Sequence, residues 1–268
     1  MTVRTEGIAP APAFSQGVTH EQGTPGEGLD MVGGDALEVF RERLATVLRG
    51  DLCLDKALSR SLAAEAARMI ATGGLDAAGA LRARLAEWDI DRQWAELLRG
   101  ERAQALADWV EPYARGTVVH LCAADKLLYE RLSQMGCPAV LAERDGADGL
   151  PLCETVLLTG ALSGVADADE LLSEVARSSA TRLVLVEAVV EDGSPPELHA
   201  LFDGVFERCL GRPTKRPARR RTAEEWLALT ERHGRVAALE RWESVPGIPL
   251  PHALIAADLE PIGINGPR

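Results

Sequence analysis

The sequence predicts an α/β fold, a mostly parallel sheet covered by helices and ending in an antiparallel hairpin, preceded by a small all-α segment. Three observations predict it. Short apolar, β-branched runs at 117–122, 154–159 and 182–190 alternate with helical stretches, and continuous apolar strands separated by helices belong to parallel sheets buried on both faces. Before residue 115 the apolar residues recur instead at three and four, the period of a helix. Two last apolar runs, at 236–240 and 251–258, are spaced as an antiparallel hairpin at the sheet edge.

Residues 1–34 contain Ala-Pro-Ala-Pro, Gly-Thr-Pro-Gly-Glu-Gly and Val-Gly-Gly with almost no periodic apolar residues. Such a composition does not repay the entropy of ordering, so a disordered tail is expected there. From 35 to 114 the helical period sets in with Leu37, Phe40, Leu44 and Leu48, then Leu54, Leu58, Leu62 and Ala66. Gly50 and the pair Gly73-Gly74 supply stops, and further helical runs follow at 76–88 and 91–114. The remainder, 115–268, reads as the α/β domain. In it an amphipathic stretch at 126–135 closes on Gly136, a short run occupies 139–142, and a helix passes through 170–176. Thr222 and Glu225 have the spacing of a capping box for a helix that reaches Gly234.

Acidic residues outnumber basic ones by 41 to 29, a net charge of −12. That field repels phosphate backbones and anionic lipid, so nucleic acid and membrane surfaces are not expected partners. No apolar run approaches the roughly 20 residues of a spanning helix, and no basic stretch leads into an apolar core as in a secretion signal. A cytoplasmic protein is expected. Cys53, Cys122, Cys137, Cys153 and Cys209 are odd in number and without CxxC pairing, which predicts reduced, mostly buried thiols. The five histidines are as scattered, and no metal site is expected.

Three stretches in fixed order carry a family resemblance: residues 154–172, residues 182–193, and the Arg221-Thr-Ala-Glu-Glu-Trp element that opens the late helix. The chain from about 116 to 258 resembles the class I S-adenosylmethionine-dependent methyltransferases, specifically the small-molecule O-methyltransferases, as a divergent member. The resemblance implies a Rossmann-like methyltransferase fold, S-adenosylmethionine as cofactor, and an amino-terminal region that forms a homodimer or pairs with a related enzyme.

The family's functional positions carry other residues here. Where its first strand ends in Asp and a glycine-rich turn, this chain has His120, then Cys122, Ala123 and Ala124, with Asp125 after them. Side chains fill the space that glycine leaves for a ligand, and a position needing positive φ is strained by about 1 kcal/mol or more. The family's ribose-binding acid falls on Glu143 or Asp145 if 139–142 is the second strand, and has no holder if it is the third. Between Gly136 and residue 154 there is too little chain for two strands and a helix, so one strand unit is missing. Ser163 stands where the family has its general-base His, followed by Gly164. A serine hydroxyl is no unassisted base near neutral pH. Asp167 and Asp169 are the nearby acids able in principle to deprotonate a substrate, but they read first as favouring the N-terminus of the following helix.

Arg208, Arg212, Lys215, Arg216, Arg219, Arg220 and Arg221 form a basic strip in this acidic chain. It reads as a solvated loop bordering the cleft, or as a site for an anionic ligand or acidic partner. His120 reads first as a hydrogen-bonded core histidine. Taken together, the replacements predict that ordinary methyl transfer is lost and that the protein is a repurposed enzyme or a non-catalytic partner of an active one. The alternative is an active S-adenosylmethionine-dependent O-methyltransferase that holds its cofactor atypically through His120, Asp125 and Glu143.

Overall fold

The computed structural model describes residues 33–73, 78–121, 126–142, 150–165, 167–191, 193–195, 197–210 and 220–260. The expected disordered tail therefore lies, up to residue 32, outside the described residues. Nine helices and six strands are described: α1 Gly34–Gly50, α2 Lys56–Gly73, α3 Ala78–Ala86, α4 Ile90–Arg99, α5 Glu101–Val110, β1 Val118–Leu121, α6 Lys126–Gln134, β2 Ala139–Ala142, β3 Thr155–Thr159, α7 Ala168–Ala176, β4 Arg182–Ala188, α8 Leu198–Leu210, α9 Ala223–Glu231, β5 Arg235–Trp242 and β6 His252–Asp258.

The strands form one sheet in the order β2-β1-β3-β4-β6-β5. The first four run parallel, and the hairpin β5–β6 joins antiparallel to β4. The run at 139–142 is thereby the second strand, paired with β1 on the side away from β3. Residues 143–149, between it and β3, lie outside the described residues. Alternation along the strands divides the core. Val119, Leu121, Val156, Leu158, Leu183 and Leu185 pack toward α7 and α9. Val118, Leu157, Val184 and Val186 pack on the other face, toward α5 and α6.

Local chemistry explains the boundaries. α1 stops at Gly50 and α2 at Gly73, and the Thr222–Glu225 capping box starts α9 with both of its hydrogen bonds made. The expected helix at 91–114 is instead two helices, α4 and α5, broken at Gly100, with a single 3-10 turn, Glu111–Tyr113, at its end. Pro112 in that turn has no N–H to continue an α-helical ladder.

The largest departure from the sequence reading is α8, a helix absent from it. Leu198, Leu201, Phe202, Val205 and Phe206 make a stripe that the amino-terminal helices cover. Phe40 meets Phe202 at a centroid distance of 4.9 Å, and Trp94 meets Phe206 edge-on at 5.9 Å. The apolar stripes of α1 to α4 are thus buried within the chain, so they give no reason to expect a second chain over them.

Trp94 also donates its indole N–H to the Gly247 carbonyl at 2.8 Å. Gly247 has φ +74, and a Cβ there would lie 2.8 Å from Leu98 Cδ2. Gly247→Ala combines a left-handed backbone with overpacking, and a loss of roughly 2–4 kcal/mol is expected. Urea unfolding of the variant measures it, and a loss below about 1 kcal/mol would show that the contact relaxes freely.

Candidate functional site

In open α/β sheets ligands bind outside the carboxyl ends of the parallel strands, so the side chains gathered there decide what the fold can do. His120, one residue before the end of β1, is wholly buried. Its Nε2 lies 2.7 Å from Thr159 Oγ1 at the end of β3. The strand alternation places this pair on the α5–α6 face. The core-histidine reading of His120 therefore holds, with a partner that the sequence did not suggest.

Beyond β3 the chain turns at Gly160, φ +60, and forms a single 3-10 turn, Leu162–Gly164, that contains Ser163. What this turn rests on is Glu187, near the end of β4 and 1% exposed. Its Oε1 accepts the Leu162 N–H at 2.7 Å, and the Ser163 amide and hydroxyl also favour its charge. Its Oε2 is buried with no hydrogen-bond partner. Burial outweighs these donors and the Arg220 charge and pushes the carboxyl up to about 7.

Two further histidines feel the Arg220 charge, although the register sets His252, opposite Ala188, on the other face of the sheet from Glu187. His252 opens β6 opposite Ala188, and its Nδ1–H donates to the Leu250 carbonyl at 2.8 Å. Burial above all, with the Arg102 and Arg220 charges, holds it down at about 4. His199, in the first turn of α8, donates to the Val189 carbonyl, and burial followed by the Arg220 charge takes it to about 3. Both imidazoles are neutral at pH 7. Arg220 acts on all three groups; its guanidinium pairs with Asp203 of α8, while its Nε and His199 Nδ1 are buried without hydrogen-bond partners.

The other expected site residues fall out as follows. Asp167 is the N-cap of α7, its carboxylate accepting the Asp169 and Glu170 amides at 3.0 Å, so its role as a base is corrected to a capping one. Asp169 pairs with Arg232 and His233. Cys122, Ala123, Ala124, Asp125 and Glu143 lie outside the described residues, as do Arg212, Lys215, Arg216 and Arg219. The solvated-loop reading of the basic strip is corrected at its ends. Arg208 lies within α8, Arg220 is largely buried in its pair with Asp203, and the Arg221 guanidinium sits 4.5 Å above the Trp226 ring. Of the thiols whose burial is described, Cys153 is buried, Cys137 is half-buried and Cys53 is exposed.

Sequence reasoning missed Glu187, His199, His252 and Arg220 as a group. The signals were a lone acid inside the apolar run 182–190 and a histidine in an unread helical stripe. What they share is the Arg220 charge, which reaches His252 because β6 inserts beside β4.

The sheet, parallel through four strands and closed by an antiparallel carboxyl-terminal hairpin, is the arrangement the resemblance implies. The fold is a mixed α/β sheet with helices on both faces. No family model matches the chain, and no curated protein matches it. Among solved structures it is similar to an O-methyltransferase family 2 protein from Planctomyces limnophilus in complex with apigenin, at 16% identity and TM-score 0.36 over 76% of this chain and 68% of that one. It is also similar to a putative O-methyltransferase from Nostoc punctiforme, at 15% identity and TM-score 0.40 over 63% of this chain and 60% of that one. A possible histamine N-methyltransferase from Thermotoga maritima shows 11% identity and TM-score 0.41 over 67% of this chain and 98% of that one. Likenesses of this size assign no activity to the chain. Among the described residues there is no cluster that would hold a metal ion, and no helix is long and apolar enough to cross a membrane.

Proposed function

We propose that this methyltransferase-like protein acts in small-molecule metabolism as a repurposed enzyme, with ordinary methyl transfer lost and acid–base chemistry centred on Glu187. The observation that carries the reading is the carboxyl itself. A fully buried Glu187 held at about 7, with Oε2 unbonded, stands against Ser163, the residue that replaces the family's base. A general acid or base works best when its pKa lies near the operating pH.

In this reading Glu187, wholly buried and fixed by the Leu162 N–H, acts through the half-buried Ser163 hydroxyl that it holds: the hydroxyl takes a proton from an acidic O–H or C–H of the substrate as it passes its own to the carboxylate. The Arg220 charge stabilises the anion that results, and the proton on Glu187 returns through the same hydroxyl to a different substrate atom. Proton out and proton back balance without a cofactor, which suits isomerisation or cyclisation of a carbonyl-bearing small molecule. S-adenosylmethionine fits the described residues poorly. At the family's Asp position the chain offers His120, a buried imidazole engaged with Thr159, where a carboxylate is needed to meet a cationic amine. No step is therefore routed through that cofactor.

Two measurements test the proposal. Carbon-detected NMR of glutamate-labelled protein is expected to show one carboxyl titrating near 7 that disappears in Glu187→Gln. A midpoint below about 5 removes Glu187 as an acid–base group at neutral pH. Calorimetry with S-adenosylmethionine and S-adenosylhomocysteine is expected to give no dissociation constant of about 10 μM or tighter, and one that tight restores the active methyltransferase reading. Ser163→His alone is expected to leave methylation undetectable, because a base without a cofactor pocket transfers nothing.

A further inference from the structure

Outside the sheet, the amino-terminal helices carry a feature that the acid–base site does not use. α1 and α2 form a helical hairpin, and the trough along its outer side encloses about 940 Å³. A smaller stretch of about 240 Å³ continues it toward Gly34 and Ala71. Gly34 faces Ala71 at one end and Gly50 approaches Lys56 at the other, so the trough follows the whole hairpin. A 17-residue helix such as α1 is about 25 Å long at 1.5 Å per residue.

The lining is unusual for this chain. Among the described residues, Arg41, Arg49, Lys56 and Arg60 border the main trough against a single acid, Glu42, a balance of +3 in a protein of net charge −12. Arg41 is engaged by Glu38, but Arg49, Lys56 and Arg60 form no ion pair among the described residues. The floor is made of small side chains, Ala45 and Ala64, with Ala67 in the continuation. Small side chains beside long cations let another backbone approach the hairpin while its flanking side chains stay within reach of the arginines.

We propose that this trough is the docking site for an acidic amphipathic helix of a partner protein. Charge complementarity selects the partner. A second copy seated face to face by two-fold symmetry would set the same cations against themselves, and a head-to-tail copy would leave an open, growing contact that does not close. An acidic helix from another chain meets neither obstacle.

The test uses the full chain and a synthetic 20-residue helical peptide with glutamates flanking an alanine–leucine stripe, beside a control with lysines in place of the glutamates. The acidic peptide is expected to bind with a dissociation constant of some tens of micromolar, roughly, and to weaken at least about tenfold between low and high salt, while the lysine peptide does not bind. Lys56→Glu with Arg60→Glu is expected to weaken binding by about tenfold or more. Because both side chains are exposed and Lys56 opens α2, where an acid favours the helix dipole, the melting temperature should change little. The proposal is overturned if the acidic peptide does not bind below about 1 mM, or if its binding survives the double reversal. It is also overturned if sedimentation shows wild-type self-association that the double reversal abolishes, since the occupant is then a second copy.

Discussion

Lowering the pH from 7 to 4 is expected to remove roughly 3 kcal/mol of stability, and the loss should steepen when Glu187 is replaced. His199 and His252 are held at about 3 and about 4 by burial, so between those values and their ordinary 6.5 the folded protein binds fewer protons than the unfolded chain. Their contribution is complete above 6.5 and is lost as the pH falls. Glu187 has the opposite sign. Its carboxyl is raised from 4.5 to about 7, so the folded state binds more protons in that window, and its contribution is present below 4.5 and lost as the pH rises through 7. Each group changes by about 2.5 units across this range, worth on the order of 3 kcal/mol, so two losses and one gain leave about 3. Against the 5–15 kcal/mol of an ordinary domain, that is enough to bring the midpoint of acid unfolding into reach. Glu187→Gln should raise stability at pH 7 and make the acid loss about twice as large, whereas His252→Gln should flatten it. Urea unfolding at steps of pH measures all three proteins, and a wild-type profile that rises toward pH 4 would show that the histidines are not held neutral.

The parallel strands were legible because each is a short, continuous apolar run, and both faces of the sheet are covered as that pattern requires. The Thr222–Glu225 box and the glycine stops were legible because they are local hydrogen-bond chemistry. Two things were not. The order of strands around 139–142 depends on which neighbour a four-residue run pairs with, which no local pattern states. The groups that the Arg220 charge acts on come from β4, β6 and α8, so His199, His252 and Glu187 gave three separate weak signals. Ser163 was found by resemblance, yet its neighbour Glu187, a charge inside an apolar strand, was the stronger physical clue: buried carboxyls persist only where something specific surrounds them. Asp167 shows the reverse. Its two amide hydrogen bonds are those of an N-cap, and the plainer reading was the right one.

Phe202→Ala is expected to destabilise the protein by about 3–5 kcal/mol while leaving a single unfolding transition. Phe202 is wholly buried in α8 and touches Phe40 of α1 at 4.9 Å and Phe206 at 6.2 Å. Removing its ring opens a cavity between the amino-terminal helices and the α/β half, where the same cluster gathers Leu48, Leu62, Leu81 and Leu98. If the helices were a separately folding appendage, the cavity would weaken only the junction. The helices would then unfold at their own midpoint, or stay folded after α8 had let go. Because α8 contributes five residues to the helices' own core, and Trp94 reaches across to the Gly247 carbonyl, neither half keeps its core when the other is lost. The tryptophans distinguish the two cases. Trp94 reports on the helices, while Trp226 and Trp242 report on the α9 and β5 side. Denaturant curves of variants that retain one or the other group should coincide in the wild type and still coincide after Phe202→Ala, both shifted to lower urea. Separation of the two curves in the variant would mean that the shared core is marginal and that residues 35–114 fold as a unit of their own. Phe202→Leu, which keeps most of the volume, should recover most of the loss, showing that the filled space and not the aromatic contact with Phe40 holds the halves together.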